Sequence, residues 1–530
     1  MLEKMYVLRP DVIAEPIVRG WYAWPHLVSP ITAALNLANR QIKTLASFVE
    51  SPEIHEAAVK SPELRGGPFV DLPASKVADV KTMLDEALAS GEFMIEFADQ
   101  IRELAKACEA TSGGGSLERL YDNVPDLLDG FIEFYYTDMG QASFRVIEPL
   151  LYQTQLYDET KQSLHLYIAN NESRSFAFST PRPIDDVVVI NRPFHDAIHD
   201  LIGRLRFHCM PKKEIEAELI RLGLEASLLD PFITQSQDVV KKNPPAKASW
   251  RYFGHACVLV TGANGSNILV DPIIPLETSE TGLDRFSFKD LPEQIDCLLI
   301  THNHADHVVI ETLLSLRHIV KQVCIPKSNG GICDPSLKLL FEKLGFTDVI
   351  AMDPMDEITI DGMRIQALPF LGEHGDLDVT SKLAWHVVDH NYSFVFAADS
   401  NNLSAKMYRH ILKSTGKIDA MFLGMECVGA PMSWVYGPLL LKSVDRRSDQ
   451  SRRLNGSDAQ RALSLIEALQ CEEVYIYAMG REPWLSFIMS IDDDEETEQM
   501  RQAKMLMEHC VSKSVPAKLL FGKHEVIRQA

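Results

Sequence analysis

Apolar residues recur at helical spacing over residues 31–48, 75–89 and 93–110, which predicts amphipathic helices and a helix-rich first half. Strand signals are few there. Residues 164–169 and 186–190 have β-type composition and predict a small sheet, so this half is expected to be α+β. Ser112-Gly113-Gly114-Gly115-Ser116 interrupts the helical pattern as a loop inside a domain. The pattern changes at Lys241-Lys242-Asn243-Pro244-Pro245-Ala246-Lys247, where two prolines and polar residues precede a strongly β-patterned run. The junction falls there, between a domain of residues 1–245 and a second of residues 246–530. Residues 249–261 and 267–274 then read as two strands joined by a hairpin at 262–266, which holds an Asn-Gly turn signal. Further strand patterns at 294–300, 322–325, 363–370, 384–388, 394–398, 420–423 and 474–477 alternate with helical patterns at 308–316, 336–344, 403–412, 458–469 and 497–511. Such alternation predicts a layered α/β domain.

Composition bounds the class. At 530 residues, with 46% hydrophobic and 24% charged positions, the chain is globular and long enough for two or three domains. It holds 52 basic and 74 acidic residues, a formal net charge of −22, which disfavours a nucleic-acid partner. Nine cysteines without a CxxC pair suit reduced thiols in a cytosol. The opening Met1-Leu2-Glu3-Lys4-Met5-Tyr6 lacks the apolar run of a signal peptide, and no run of roughly twenty apolar residues could span a bilayer. A cytoplasmic protein that does not associate with membranes is expected. Asp492-Asp493-Asp494-Glu495-Glu496 reads as the acidic start of the helix predicted at 497–511.

The chemistry concentrates in Thr301-His302-Asn303-His304-Ala305-Asp306-His307, directly after an apolar strand. His302 and His304 stand two apart on extended chain, so both imidazoles project to one side, while Asp306 and His307 are expected to open the next helix and point back. Four ligand-type side chains at a strand's C-terminal edge would be costly without partners, and the spacing suits two metals.

This string resembles the metallo-β-lactamase superfamily, with Gly254-His255 in the first hairpin and Asp271 ending the second strand. The resemblance covers most of residues 249–480 and implies an αββα sandwich with a binuclear site, in which His302 and His304 serve one metal and Asp306 and His307 the other. The superfamily also expects a third histidine, a bridging aspartate and a last histidine. Asp399, after Phe396-Ala397-Ala398, fits the bridging position, with a helix N-cap as the bland alternative. The third-histidine position holds Gly372-Glu373-His374, where either side chain offers a ligand, and the last-histidine position holds Ala478, which offers none. Only a distant histidine such as His509 or His524 would compensate.

With Glu373 as ligand, the site contains three histidines and three carboxylates and leaves the second metal one protein ligand short. Anionic oxygen donors and an open position suit iron and dioxygen better than hydrolytic zinc. A helical N-terminal half, a lactamase-type C-terminal domain and Gly372-Glu373-His374 together resemble the di-iron β-hydroxylase family of chloramphenicol biosynthesis, over the whole chain. That resemblance implies a monooxygenase with two Fe ions and O2 as co-substrate. Such an enzyme hydroxylates the β-carbon of an amino acid held as a thioester on the carrier domain of a nonribosomal peptide synthetase. By position the ligands would be His302, His304 and Glu373 for one iron, with Asp306, His307 and bridging Asp399 for the other. Glu426, after the strand pattern at 420–423, reads as a second acid near the metals, a carboxylate that moves onto iron, or a structural residue. No flavin or nicotinamide fingerprint is present, so electrons would come from an external donor. The first half has no catalytic motif; the family resemblance and the size of its helical surface imply carrier docking and homodimer formation.

The His-rich motif alone equally supports a di-zinc hydrolase of a lactone, thioester or phosphodiester, and a metal-dead docking module is the third reading. Glu373 and Ala478 favour the hydroxylase. Trp434, Tyr436 and Trp484 are expected in loops bordering the site or in ordinary packing, and His195 and His199 as a helix-face pair. Lys212-Lys213, Lys241-Lys242, Arg446-Arg447 and Arg452-Arg453 are candidates for a basic docking patch, or solvated surface.

Overall fold

The computed structural model describes residues 4–111, 114–169, 171–183, 185–236, 248–277, 282–390, 392–491 and 496–528. The proposed junction at 241–247, the Lys241-Lys242 pair, most of the acidic run and two residues of the Gly-rich loop lie outside them.

Two seven-stranded sheets build the C-terminal part. In spatial order the first runs Val349–Met352, Val320–Pro326, Ile295–Leu299, Asn267–Val270, Cys257–Thr261, Ser249–Gly254 and His524–Ile527. The second runs Glu357–Ile360, Met363–Pro369, Leu383–Asp389, Tyr392–Phe396, Ala420–Gly424, Glu473–Tyr477 and Ala517–Leu519. Each is parallel over half its width and antiparallel over the other. The two-residue period sorts the side chains: Val258 and Val260 point into the core between the sheets with Trp250, Trp385 and Phe422, while Cys257 and Leu259 point outward. Outer helices cover both sheets. Ile310–Leu316 and Leu337–Lys343 lie over the first sheet, and Ala405–Thr415, Ala459–Leu469 and Glu498–Ser512 over the second, giving the expected αββα sandwich. All nine cysteines are free. No helix among the described residues is long and apolar enough to cross a membrane.

Several strand expectations change: Val349–Met352, Glu357–Ile360, Ala517–Leu519 and His524–Ile527 form strands at or beside the sheet edges that the pattern did not predict. Residues 249–261 are two strands, Ser249–Gly254 and Cys257–Thr261, that fold back on each other through His255. The reversal requires Gly254 at φ 117° and His255 at φ 51°, and a Cβ on Gly254 would lie 2.7 Å from the Trp484 ring.

The predicted helices of the first half form, chiefly as Pro30–Asn36, Ile42–Glu50, Val77–Ser90 and Glu92–Ala110. A π-helical turn, Leu37–Gln41, joins the first two. More strands form than the pattern predicted: three small sheets, of three, four and two strands, rather than one. His195 sits in a turn before the helix Ile198–Phe207, so it and buried His199 are not a helix-face pair.

Candidate metal centre

Strand Ile295–Leu299 is buried along its length and delivers the His-rich loop to the sheet edge. Asp271, just past the neighbouring strand, fixes that loop. Its carboxylate accepts from the Thr301 amide at 2.8 Å and the Thr301 hydroxyl at 2.6 Å, and lies 2.8 Å from His307 Nδ1. His302 Nδ1 lies 3.0 Å from the Thr301 hydroxyl. These bonds turn the second nitrogens of His302 and His307 toward one space. Asp306 and His307 occupy a turn; the helix begins only at Ile310, because residues 305–308 are held by the bonds of the loop.

The remaining carboxylates arrive from the second sheet. Glu373 follows strand Met363–Pro369, and its Oε1 reaches 2.5 Å from His304 Nδ1 while Oε2 is 3.6 Å from His302 Nε2. Asp399 follows strand Tyr392–Phe396, its Oδ2 3.2 Å from His307 Nε2 and 3.9 Å from His302 Nε2. It caps no helix, since Ser404 precedes the helix Ala405–Thr415. Ligand atoms of His302, His304 and Glu373 lie within 4.8 Å of one another, as do those of His302, His307 and Asp399. Asp306 is 3.4 Å from His307 Nε2. His302 Nε2, Glu373 Oε2 and Asp399 Oδ1 are buried and have no hydrogen-bond partner. Buried polar atoms without partners, converging from three segments, fit a bound cation pair.

The electrostatics agree. Burial pushes Glu373 up to about 7 despite the nearby His304. Burial also opposes the charged form of Asp306, yet His307 and His255 hold its carboxyl well below the usual range. Burial lowers His302, assisted by the neighbouring imidazoles. Glu426, half-buried beyond strand Ala420–Gly424, is driven well above its range by burial and by Asp399, Asp306 and Glu373, so it faces the same cluster. So many carboxylates in one buried place repel until cations join them.

His374 is not in the clusters. Its Nδ1 lies 2.7 Å from the Tyr436 hydroxyl, which is also 3.0 Å from His304 Nε2. Ala478 is buried, and its amide donates to the His255 carbonyl at 2.8 Å. Neither distant histidine compensates: His524 packs on Trp250 beside Lys518, and His509 lies on the helix Glu498–Ser512 outside all three clusters. The imidazole that reaches the second position is His255, whose Nε2 is 2.9 Å from Asp306 Oδ2 and which groups with Asp306 and His307. Reading 249–261 as one strand hid it; its position at the reversal is the signal that would have revealed it.

A cavity of about 520 Å³ opens onto the cluster, and Glu373, Asp399 and Glu426 line it. Its other wall comes from the first half through Trp24, His26, Arg40, Phe176 and Phe178. Trp434 lines it too, from the short helix Met432–Tyr436 rather than a loop, whereas Trp484 packs elsewhere, against Arg285. Of the basic pairs, Lys212 pairs with Asp230, Arg446 and Arg447 are exposed, and Arg453 lines the cavity.

Comparison with known proteins follows the same division. Residues 7–236 match the model of the diiron non-heme beta-hydroxylase N-terminal domain, and residues 249–425 match a beta-lactamase superfamily domain. The chain is 36% identical, over 97% of its length and 98% of the relative's, to the 4-amino-L-phenylalanyl-[CmlP-peptidyl-carrier-protein] 3-hydroxylase of Streptomyces venezuelae. It superposes on the crystal structure of CmlA, a diiron beta-hydroxylase from that organism, with a TM-score of 0.92 at 34% identity, covering 99% of this chain and 100% of that one. A UPF0173 metal-dependent hydrolase of Koribacter versatilis is 28% identical over 96 residues, 18% of this chain and 38% of the relative.

Proposed function

Because the chain belongs to the diiron non-heme β-hydroxylase family, we propose that it hydroxylates the β-carbon of an amino acid held as a thioester on a peptide-synthetase carrier domain. Dioxygen is the co-substrate in this reading, electrons come from an external donor, and the enzyme works in the cytoplasm as a homodimer. The observation that carries it is Glu373: a carboxylate, where a hydrolytic site has a third histidine, closes the cluster with His302 and His304.

The proposed ligands are His302, His304 and Glu373 for one iron, and Asp306, His307 and Asp399 for the other, with Asp399 shared through His302. When bound, an iron pair supplies the redox chemistry by which dioxygen attacks an unactivated C–H bond. The protein's own groups do the rest. Thr301 and Asp271 orient His302 and His307, and His255 holds Asp306 in place of the imidazole that Ala478 cannot supply. With His304 Nδ1 turned to the metal, its Nε2–H donates to the Tyr436 oxygen, and the Tyr436 hydroxyl donates to His374 Nδ1. Glu426, which lines the cavity beside Glu373 and Asp399, is the acid placed to exchange a proton there. The cavity, open at exposed Glu63 and Val428, receives the carrier's arm with its amino acid in this reading.

Metal analysis of the purified protein tests this. About two iron ions per chain are expected, falling toward one in Glu373→Ala. Two tightly held zinc ions with no oxygen uptake on addition of loaded carrier would point to a hydrolase instead.

A further inference from the structure

Arg40 is a buried charge with no ion pair among the described residues. It lies in the π-helical turn Leu37–Gln41 and is 8% exposed, yet it forms one wall of the cavity that opens onto the metal cluster. The wide turn re-aims this stretch of helix toward the second half, where Asn39 donates to the Pro438 carbonyl at 2.6 Å. Arg40 uses a single nitrogen, Nη2, which donates to the carbonyls of Ser433, Trp434 and Val435 at the end of the helix Met432–Tyr436. Among the described residues no carboxylate pairs with it, and its other N–H groups donate no hydrogen bond.

Three carbonyl dipoles of a single helical turn offset only part of the cost of burying a whole charge. Burial brings the guanidinium down to about 10, so it stays charged at neutral pH. The cavity that holds the carboxylates of Glu373, Asp399 and Glu426 is thus also lined by the Arg40 guanidinium, with the aromatic rings of Trp24, Phe176 and Phe178 and two further arginines, Arg65 and Arg453. With cations held by the carboxylates, an anionic group entering this space meets the Arg40 charge without a competing carboxylate ion pair on it.

We propose that Arg40 is a substrate-binding residue whose guanidinium receives an anionic oxygen group carried into the cavity by the thioester substrate. The two sources of that chemistry are a carboxylate on the amino-acid side chain and the phosphodiester of the tether. This rests on the hydroxylase reading, because it takes the cavity as the place where the thioester binds.

Four defined compounds test it: thioesters of glutamate or phenylalanine, each on phosphopantetheine or on phosphate-free pantetheine, titrated calorimetrically into the full-length iron-loaded enzyme without dioxygen. A guanidinium–oxyanion contact is expected to make at least one oxyanion-bearing compound bind about tenfold tighter than phosphate-free phenylalanyl-pantetheine. The compound that gains identifies the source. Arg40→Gln should remove the gain, and Arg40→Lys, which keeps the charge, should retain part of it. No gain in the wild type, a comparison that needs no variant to fold, would overturn the proposal. So would a gain that survives in Arg40→Gln, or an equal weakening of all four compounds, which would leave helix capping as the only role. The same compounds with reduced enzyme and dioxygen test hydroxylation separately: a clear binding pattern without β-hydroxylated product faults the hydroxylase reading alone.

Discussion

Several residues at the metal centre hold backbone conformations that side chains disfavour. His255, Asp271, Glu373, Ala398 and Ala478 all have φ between 41° and 69°, and all lie at or beside the cluster. Each costs on the order of 1 kcal/mol or more, so the surrounding bonds must over-determine them. Tyr436 is one such fixing point, since its hydroxyl touches both His304 and His374. Tyr436→Phe keeps the ring and removes these bonds, and we expect iron affinity to fall by roughly tenfold to a hundredfold in chelator competition, with little change in thermal stability. Unchanged affinity would mean that His304 is held by packing alone. The motif from His302 to His307 was legible because four ligand types fall within six residues after an apolar strand. Glu373 and Asp399 were legible only by resemblance, since a single acid after a strand signals nothing by itself. Telling Glu373 from His374 needed the fold, which groups Glu373 with His302 and His304 and turns His374 Nδ1 to Tyr436, with His374 Nε2 3.2 Å from Glu373 Oε2.

At the level of elements, the buried central strands of the second half were readable because each is apolar and bounded by turns, whereas the outer strands Val349–Met352, Glu357–Ile360, Ala517–Leu519 and His524–Ile527 were not, being short and mostly half-exposed. The first half hid its strands for two reasons. Met5–Leu8 pairs with Met210–Pro211 and Ile233–Gln235, partners some two hundred residues away. Val12–Val18 contains Glu15 and Pro16, which argue against a buried strand. Glu15 is tolerated because Arg174 and Arg182 approach it at 2.8 and 3.1 Å, and Arg174 also binds Glu311 on the helix Ile310–Leu316 of the other half. Burial would raise the Glu15 pKa, but the two arginines hold it below the ordinary 4.5. Its contribution is therefore complete above about pH 4.5 and is lost as the pH falls through the lowered value. Glu15→Gln should destabilise the protein by roughly 3 kcal/mol at neutral pH, by denaturant titration, because it leaves two buried arginines short of a partner. The gap to wild type should narrow below about pH 4.5; a gap independent of pH would show that Glu15 acts by shape alone.

In the molecule as a whole, the two halves share a core and a cavity. Trp21, Tyr22, Trp24, Phe48 and Phe194 pack in one cluster with Phe253, Leu298, Leu313 and Phe341. The first half supplies the cavity wall that faces the metal cluster. No sequence pattern announced this, because Trp24, Arg40 and Phe176 become neighbours only through packing. The negative charge of the chain likewise says nothing about the local polarity of the cavity. The central claim is that this cavity inserts oxygen into a carrier-bound amino acid instead of cleaving its thioester. The most direct measurement is mass spectrometry of the loaded carrier arm after reaction of the reduced, iron-loaded enzyme with isotopically heavy dioxygen. The account predicts that the amino acid stays on the arm and gains one heavy oxygen atom at its β-carbon. Amino acid released from the arm, without label from dioxygen, would contradict it.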